Sequence, residues 1–192
     1  MSLTFLTGGA RSGKSSLAVR RALEWSATTP PGRLVYVATG SAGDEEMHRR
    51  IATHQRDRDP RWVTIEAPLD LVAGVQEALT MGPCRFVVVD CLAFWVANRL
   101  MEVDTDTETT LCDWEGVERS LRNDVLTITE LLGGEDTPAV IVSNEVGMGL
   151  VPDNALGRQF RDTLGRINAD VAMRATDAFL VVAGRVLRLE KP

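Results

Sequence analysis

Short apolar runs rich in β-branched residues alternate along this chain with longer stretches in which apolar positions recur every three or four residues. That alternation predicts a mostly parallel sheet covered by helices. The predicted strands are Leu3–Leu6, Leu34–Ala38, Trp62–Glu66, Arg85–Val89, Ala139–Ser143, Ala178–Val182 and Val186–Glu190. The last two, joined through Gly184–Arg185, read as a closing hairpin. Helices are expected after the glycine-rich stretch near the start and over 44–57, 69–80, 91–101, 113–132 and 154–175. The last is the clearest: Leu156, Phe160, Leu164, Ile167 and Val171 form one stripe, with Asp153 as its expected N-cap. The acidic run Glu102–Thr110 reads as a solvated loop. One domain spanning 1–192 is expected, with no internal repeat and no long linker.

Between the first strand and the first helix stands "GGARSGKS", Gly8 to Ser15. It fulfils G-x-x-x-x-G-K-[ST] in the context that gives the motif meaning, after a short apolar strand and at the opening of a helix. Glycines let successive backbone N–H groups turn toward phosphate oxygens, and the helix N-terminus adds partial positive charge. Lys14 should reach the outer phosphates of a nucleoside triphosphate, and Ser15 should offer an oxygen to Mg2+. "RFVVVD" ends at Asp90, a carboxylate at a strand end, expected as the second metal-side group. No Asn/Thr-Lys-x-Asp motif for reading guanine occurs, which disfavours a switch GTPase.

Composition narrows the partners. Among 192 residues, 44% are hydrophobic and 25% charged, values of a globular chain, and the net charge of −6 disfavours a nucleic-acid-wrapping surface. Cys84, Cys91 and Cys112 are irregularly spaced and fit neither a disulfide framework nor a zinc site, so reduced thiols are expected. No basic segment leads into an apolar one at the start. The longest apolar stretch, "FVVVDCLAFWVA", is interrupted by Asp90 and is too short to span a bilayer. A cytoplasmic protein without a membrane span is the expectation.

Two histidines, His48 and His54, fall in "GDEEMHRRIATHQRDRDPRW". On a helix with Met47 at zero, Ile51 falls at about 40° and His54 at about −20°, whereas His48 falls at about 100°. His54 therefore shares the apolar face, among Arg50, Arg56 and Arg58, and is a candidate to meet nucleotide phosphates. The residues alone leave three readings open. His54 could be a covalent carrier, or a structural residue of a simple P-loop kinase for a small alcohol. The chain could also be a RecA-like regulatory ATPase.

"GGARSGKS", "ATG" (Ala38–Gly40), "DEEMHRRIATHQRDR", "DCLAFWVAN" (Asp90–Asn98) and "SNEVGMGLVPDN" (Ser143–Asn154) together resemble the bifunctional adenosylcobinamide kinase/adenosylcobinamide-phosphate guanylyltransferase family of cobalamin biosynthesis. The similarity runs in order over nearly the whole chain. It implies a P-loop α/β fold akin to the RecA type. It also implies phosphorylation of the aminopropanol hydroxyl of adenosylcobinamide by ATP or GTP. GMP is then transferred from GTP through a histidine-bound intermediate, giving adenosylcobinamide-GDP and pyrophosphate. The carrier follows an Arg-Ile pair after two intervening residues, which is Arg50-Ile51-Ala52-Thr53-His54 here, the residue that the helical face also selects. Catalytic roles are implied for His54 and Lys14. Nucleotide contacts are implied for Gly8, Gly9, Ala10, Arg11, Ser12, Gly13, Lys14, Ser15, Thr39, Gly40, Ser41, Gln55, Arg56, Asp57, Arg58, Glu66 and Asp90, with Mg2+ at Ser15 and Asp90. A homotrimer is implied as well. Two positions depart from the family pattern: Asp59 intervenes before Pro60, and Ala93 stands where a threonine is frequent.

Overall fold

The computed structural model describes residues 3–40, 61–105, 113–134 and 137–192. In chain order they form β1 (Leu3–Thr7), α1 (Lys14–Thr28), β2 (Arg33–Ala38), β3 (Trp62–Glu66), α2 (Leu71–Thr80), β4 (Cys84–Asp90) and α3 (Leu92–Thr105). They continue as α4 (Trp114–Gly134), β5 (Ala139–Val142), α5 (Ala155–Arg174), β6 (Asp177–Val182) and β7 (Arg185–Leu189). The helix expected over 44–57, and His54 with it, lies outside the described residues.

The strands join in one sheet of order β3-β2-β4-β5-β1-β6-β7. All neighbours are parallel except β6 and β7. Strand β5 stands between the strand leading into the glycine loop and β4, which ends at Asp90. Central strands read as unbroken apolar runs because both faces are covered: Val87, Val88 and Val89 in β4 are buried, as is all of β5. The stripe of α5 packs as its periodicity requires, with Leu164, Ile167 and Val171 fully inside. Trp95 is core, and its indole N–H donates to the Leu69 carbonyl at 2.9 Å.

Three local expectations are corrected. The hairpin turn is Ala183–Gly184, with φ of 50° and 75°, and Arg185 already pairs with Val182 as the first residue of β7. A two-residue turn that follows the strand twist needs positive φ at both central positions, which places the glycine second. The N-cap of α5 is Asn154, whose side-chain oxygen accepts from the Gly157 N–H at 2.6 Å, and not Asp153. Helix α3 runs to Thr105, into the acidic segment read as loop, since polar and acidic residues are compatible with a helical turn.

Candidate active site

The register of the sheet aligns Glu66, Ala38, Asp90, Val142, Leu6 and Phe179 in one row at the carboxyl ends of adjacent strands. Open α/β sheets bind ligands at this edge, where loops leave the strands toward helix N-termini. Immediately beyond the row, Thr7 leads into the glycine loop and Lys14 opens α1.

Two glycines shape the loop. At Gly8 a side chain would run into the Val181 carbonyl of β6, so the loop can lie this close to the sheet only without one. Gly13, with φ of 99°, is the N-cap of α1 and offers no side-chain cap, which leaves the first-turn N–H groups for a ligand. The loop is braced from outside by Gly184 N–H donating to the Ser12 carbonyl at 2.9 Å. Glu145 N–H donates to the Gly8 carbonyl at 3.0 Å.

Lys14 is only 6% exposed. Its Nζ donates to the carbonyls of Gly8 at 2.8 Å and Gly9 at 2.7 Å, and to Ser12 Oγ at 3.4 Å. Burial holds its pKa below the ordinary lysine value, opposed by Cys91 and Asp90 nearby. An ammonium kept from water in this way gains from an anion placed against it. A cavity of about 390 Å3 lies over the loop, lined by residues 10–16 together with Asp90, Cys91, Phe94, Val142 and Asn144. Asp90 accepts a hydrogen bond from the Tyr36 hydroxyl at 2.6 Å on Oδ2. A larger cavity, about 490 Å3, opens between α4 and α5, but the ion pairs Arg122–Asp170 and Arg166–Glu118 occupy its charged walls and no phosphate loop borders it.

Of the residues singled out from sequence, Ala10 to Ser15 and Asp90 meet around this one cavity. Thr39 is fully buried: its hydroxyl donates to the Cys91 carbonyl at 2.6 Å and accepts from the Cys91 N–H at 2.8 Å. Its side chain thus bolts the end of β2 to the end of β4. Asn98 continues the bolt, donating from Nδ2 to the carbonyls of Thr39 at 2.9 Å and Pro68 at 3.0 Å. Glu66 is exposed at the end of β3, two strands from Asp90, about 10 Å at ordinary strand spacing. His54, Ser41 and Gln55 to Arg58 lie outside the described residues. Tyr36, Phe94 and Asn144 are the additions: Tyr36 is a polar-tipped aromatic inside an otherwise apolar strand, a signal visible in the sequence but without a partner until register supplies one.

Among the described residues no group of three or more His, Cys, Asp or Glu is gathered to hold a metal. Ser15 and Asp90 are among the residues that line the cavity and carry oxygen donors. Two hard oxygen donors beside a phosphate site suit Mg2+, which usually binds through one or two protein oxygens plus substrate phosphates.

Residues 4–189 match the family described as cobinamide kinase / cobinamide phosphate guanyltransferase. The chain belongs to this family. A bifunctional adenosylcobalamin biosynthesis protein CobP of Pseudomonas aeruginosa is 37% identical over 96% of this chain and 95% of its own length. CobU proteins of the same description from Escherichia coli and Salmonella typhimurium are 32% and 33% identical, each over 95% of this chain and 96% of theirs. Among solved structures, a type III secretion ATPase of pathogenic bacteria aligns with a TM-score of 0.61 at 11% identity, over 93% of this chain and 50% of its own. A KaiC-like protein of Pyrococcus horikoshii gives 0.52 at 12% identity, over 93% and 70%. These two share the fold alone, that of the P-loop NTPases. One cavity brings together the glycine loop, the buried Lys14 and the Asp90 carboxylate. Among the described residues, no helix is long and apolar enough to cross a membrane.

Proposed function

We propose that the chain phosphorylates the aminopropanol hydroxyl of adenosylcobinamide with ATP or GTP. It then moves GMP from GTP to the new phosphate by way of His54. The observation that carries this is the Lys14–Asp90 cavity at the carboxyl edge of the sheet, in a chain that matches its family from residue 4 to 189.

In the first step the hydroxyl oxygen bonds to the γ-phosphorus, its bond to the bridging oxygen breaks, and nucleoside diphosphate leaves with the hydroxyl proton passing to solvent. Such transfers depend on alignment and on neutralising charge that spreads over the phosphate oxygens. Lys14 and the loop N–H groups supply that neutralisation, in a site where burial makes each dipole count for more than in water. Ser15 and Asp90 would hold Mg2+, which when bound would supply further neutralisation of the phosphates.

In the second step a neutral His54 nitrogen bonds to the α-phosphorus of GTP and pyrophosphate leaves. The phosphate oxygen of adenosylcobinamide phosphate then displaces the imidazole and takes the GMP. An imidazole at its reference pKa of about 6.5 is roughly three-quarters neutral at pH 7, enough to serve as nucleophile. Splitting one transfer into two lets a single phosphate cradle serve both.

What supports His54 is that it shares the apolar side of the 44–57 sequence pattern and its spacing after Arg50-Ile51. The same reading assigns nucleotide contacts to Gly8–Ser15, Gly40–Ser41, Gln55–Arg58, Glu66 and Asp90, while Thr39, expected among them, is buried with its polar groups bonded to Cys91, Asn98 and Asp90. It makes residues 1–192 one catalytic domain, acting in the cytoplasm as a homotrimer. Incubation with α-labelled GTP and Mg2+ tests it: an acid-labile, base-stable protein adduct is expected, absent from His54→Ala, while that variant retains kinase turnover. Equal loss of both activities in folded His54→Ala removes the separate carrier role.

A further inference from the structure

The segment 143–154 between β5 and α5 carries a contradiction in physical terms. Its backbone is tied down along its length. Asn168 Nδ2 donates to the Asn144 carbonyl at 2.9 Å, and the Glu145 carboxylate accepts from the N–H groups of Gly147 and Met148. Arg161 donates to the Gly147 carbonyl at 3.1 Å, and Arg158 donates to the carbonyls of Pro152 and Asp153 at 3.1 and 2.7 Å. Yet this fixed segment presents Met148, Leu150 and Val151 to water, at 81%, 96% and 65% exposure. A single exposed apolar side chain is ordinary, but three within four residues on an anchored loop mark a surface that docks something. Gly149 between them meets nothing: a Cβ there finds no atom within 4 Å, and its φ is not in the positive range. Neither packing nor backbone geometry requires a glycine at that position, so its bareness opens space on the outer side.

We infer that Met148, Leu150 and Val151 form the platform on which the corrin ring of the cobinamide acceptor rests, an inference that builds on the proposed function above. The platform is continuous with the phosphate site. Asn144 lines the cavity, and Glu145 N–H is bonded to the Gly8 carbonyl. Met148 is four residues beyond Asn144 and so stands within about 14 Å of it by chain reach. The acceptor hydroxyl must come to roughly 3–3.5 Å from the reacting phosphorus. It sits at the end of an amide-linked propanol arm about 10 Å from the ring, by standard bond lengths. With the arm in the cavity, the wide and largely apolar ring lies outside the cradle, within chain reach of these side chains. Methionine and leucine suit such a face, since they adapt to a ring edge fringed by methyl and amide groups.

The test uses the double variant Met148→Ser/Leu150→Ser, whose side chains are exposed, and equilibrium dialysis against cobinamide read by its own visible absorption. Dissociation constant and KM for cobinamide should rise roughly tenfold to a hundredfold. The nucleotide dissociation constant should stay unchanged, and Met148→Leu/Leu150→Met should bind as the native chain does. Equal cobinamide binding by the native chain and the serine variant overturns the platform. So does dissociation of the variant's native oligomer with cobinamide affinity unchanged, which makes a second copy the occupant. A native chain that binds no cobinamide by dialysis overturns both this inference and the proposed function. Loss of the labelled GMP adduct with cobinamide binding intact removes only the histidine step.

Discussion

Replacing Tyr36 with phenylalanine removes one oxygen and with it the 2.6 Å hydrogen bond to Asp90 Oδ2, while keeping the ring and its edge-on contact with Trp62 at 6.1 Å between centroids. A hydrogen bond to a charged group contributes about 1.5–3 kcal/mol. Both partners are half-buried, and water can replace part of the bond, so the lower end applies. The bond fixes one carboxylate oxygen against β2 and thereby aims the other. Losing about 1.5 kcal/mol of that orientation at the reacting phosphates lowers kinase kcat about tenfold. Global stability should fall by about 1.5 kcal/mol and no more, since the ring still fills its place. The assay is steady-state phosphorylation of cobinamide at saturating nucleotide, repeated over a range of Mg2+, with thermal denaturation alongside. A raised Mg2+ requirement with little change in nucleotide KM is the signature of a misaimed carboxylate. A folded Tyr36→Phe variant with kcat within twofold of native and an unshifted Mg2+ profile, set beside an Asp90→Asn variant that has lost activity, refutes the positioning argument.

Gly8→Ala should lower stability by about 1–3 kcal/mol and weaken nucleotide binding, because the added Cβ meets the Val181 carbonyl and forces loop and β6 apart; chemical denaturation and nucleotide titration read the two effects. Cys91 is pushed up to about 12, first by burial and then by Asp90. At pH 8 it should resist iodoacetamide, its thiolate being about a thousandfold scarcer than that of an unfolded cysteine, as peptide mass spectrometry of native and denatured protein would show. The sign of the linked stability follows. Above the ordinary value of 9.0 the unfolded chain releases a proton that the folded chain keeps, so stability declines as pH climbs from about 9 toward 12.

The strands were legible because a sheet covered on both faces needs runs such as Phe86–Val89, and the phosphate loop because its chemistry is local in sequence. What the residues do not carry is register. Tyr36 and Asp90 are 54 positions apart and meet only because β2 and β4 are neighbours. Likewise nothing in "ATG" tells that the Thr39 hydroxyl spends both its hydrogen bonds on Cys91. The smaller misses have the same origin. Asp153 and Asn154 are equally good caps by type, and backbone direction, which no side chain reports, decided for Asn154.

Register also explains why the phosphate cradle depends on parts of the chain far from it. Gly8 lies against the Val181 carbonyl, Ser12 is held by the Gly184 N–H at the hairpin tip, and Gly8 is held again by the Glu145 N–H. Lys14 holds the curl from within, through the Gly8 and Gly9 carbonyls, and these contacts add constraints from outside. The β6–β7 hairpin supplies two of these constraints although β7 is exposed throughout, and the segment 143–154 supplies the third. An exposed terminal strand is ordinarily a tolerant place for substitution. Here its turn braces the glycine loop, and the loop that bears Met148, Leu150 and Val151 is hydrogen-bonded to Gly8 of that same loop. On the proposed assignment, one connected piece of backbone would hold acceptor and nucleotide and keep their spacing fixed through two successive transfers.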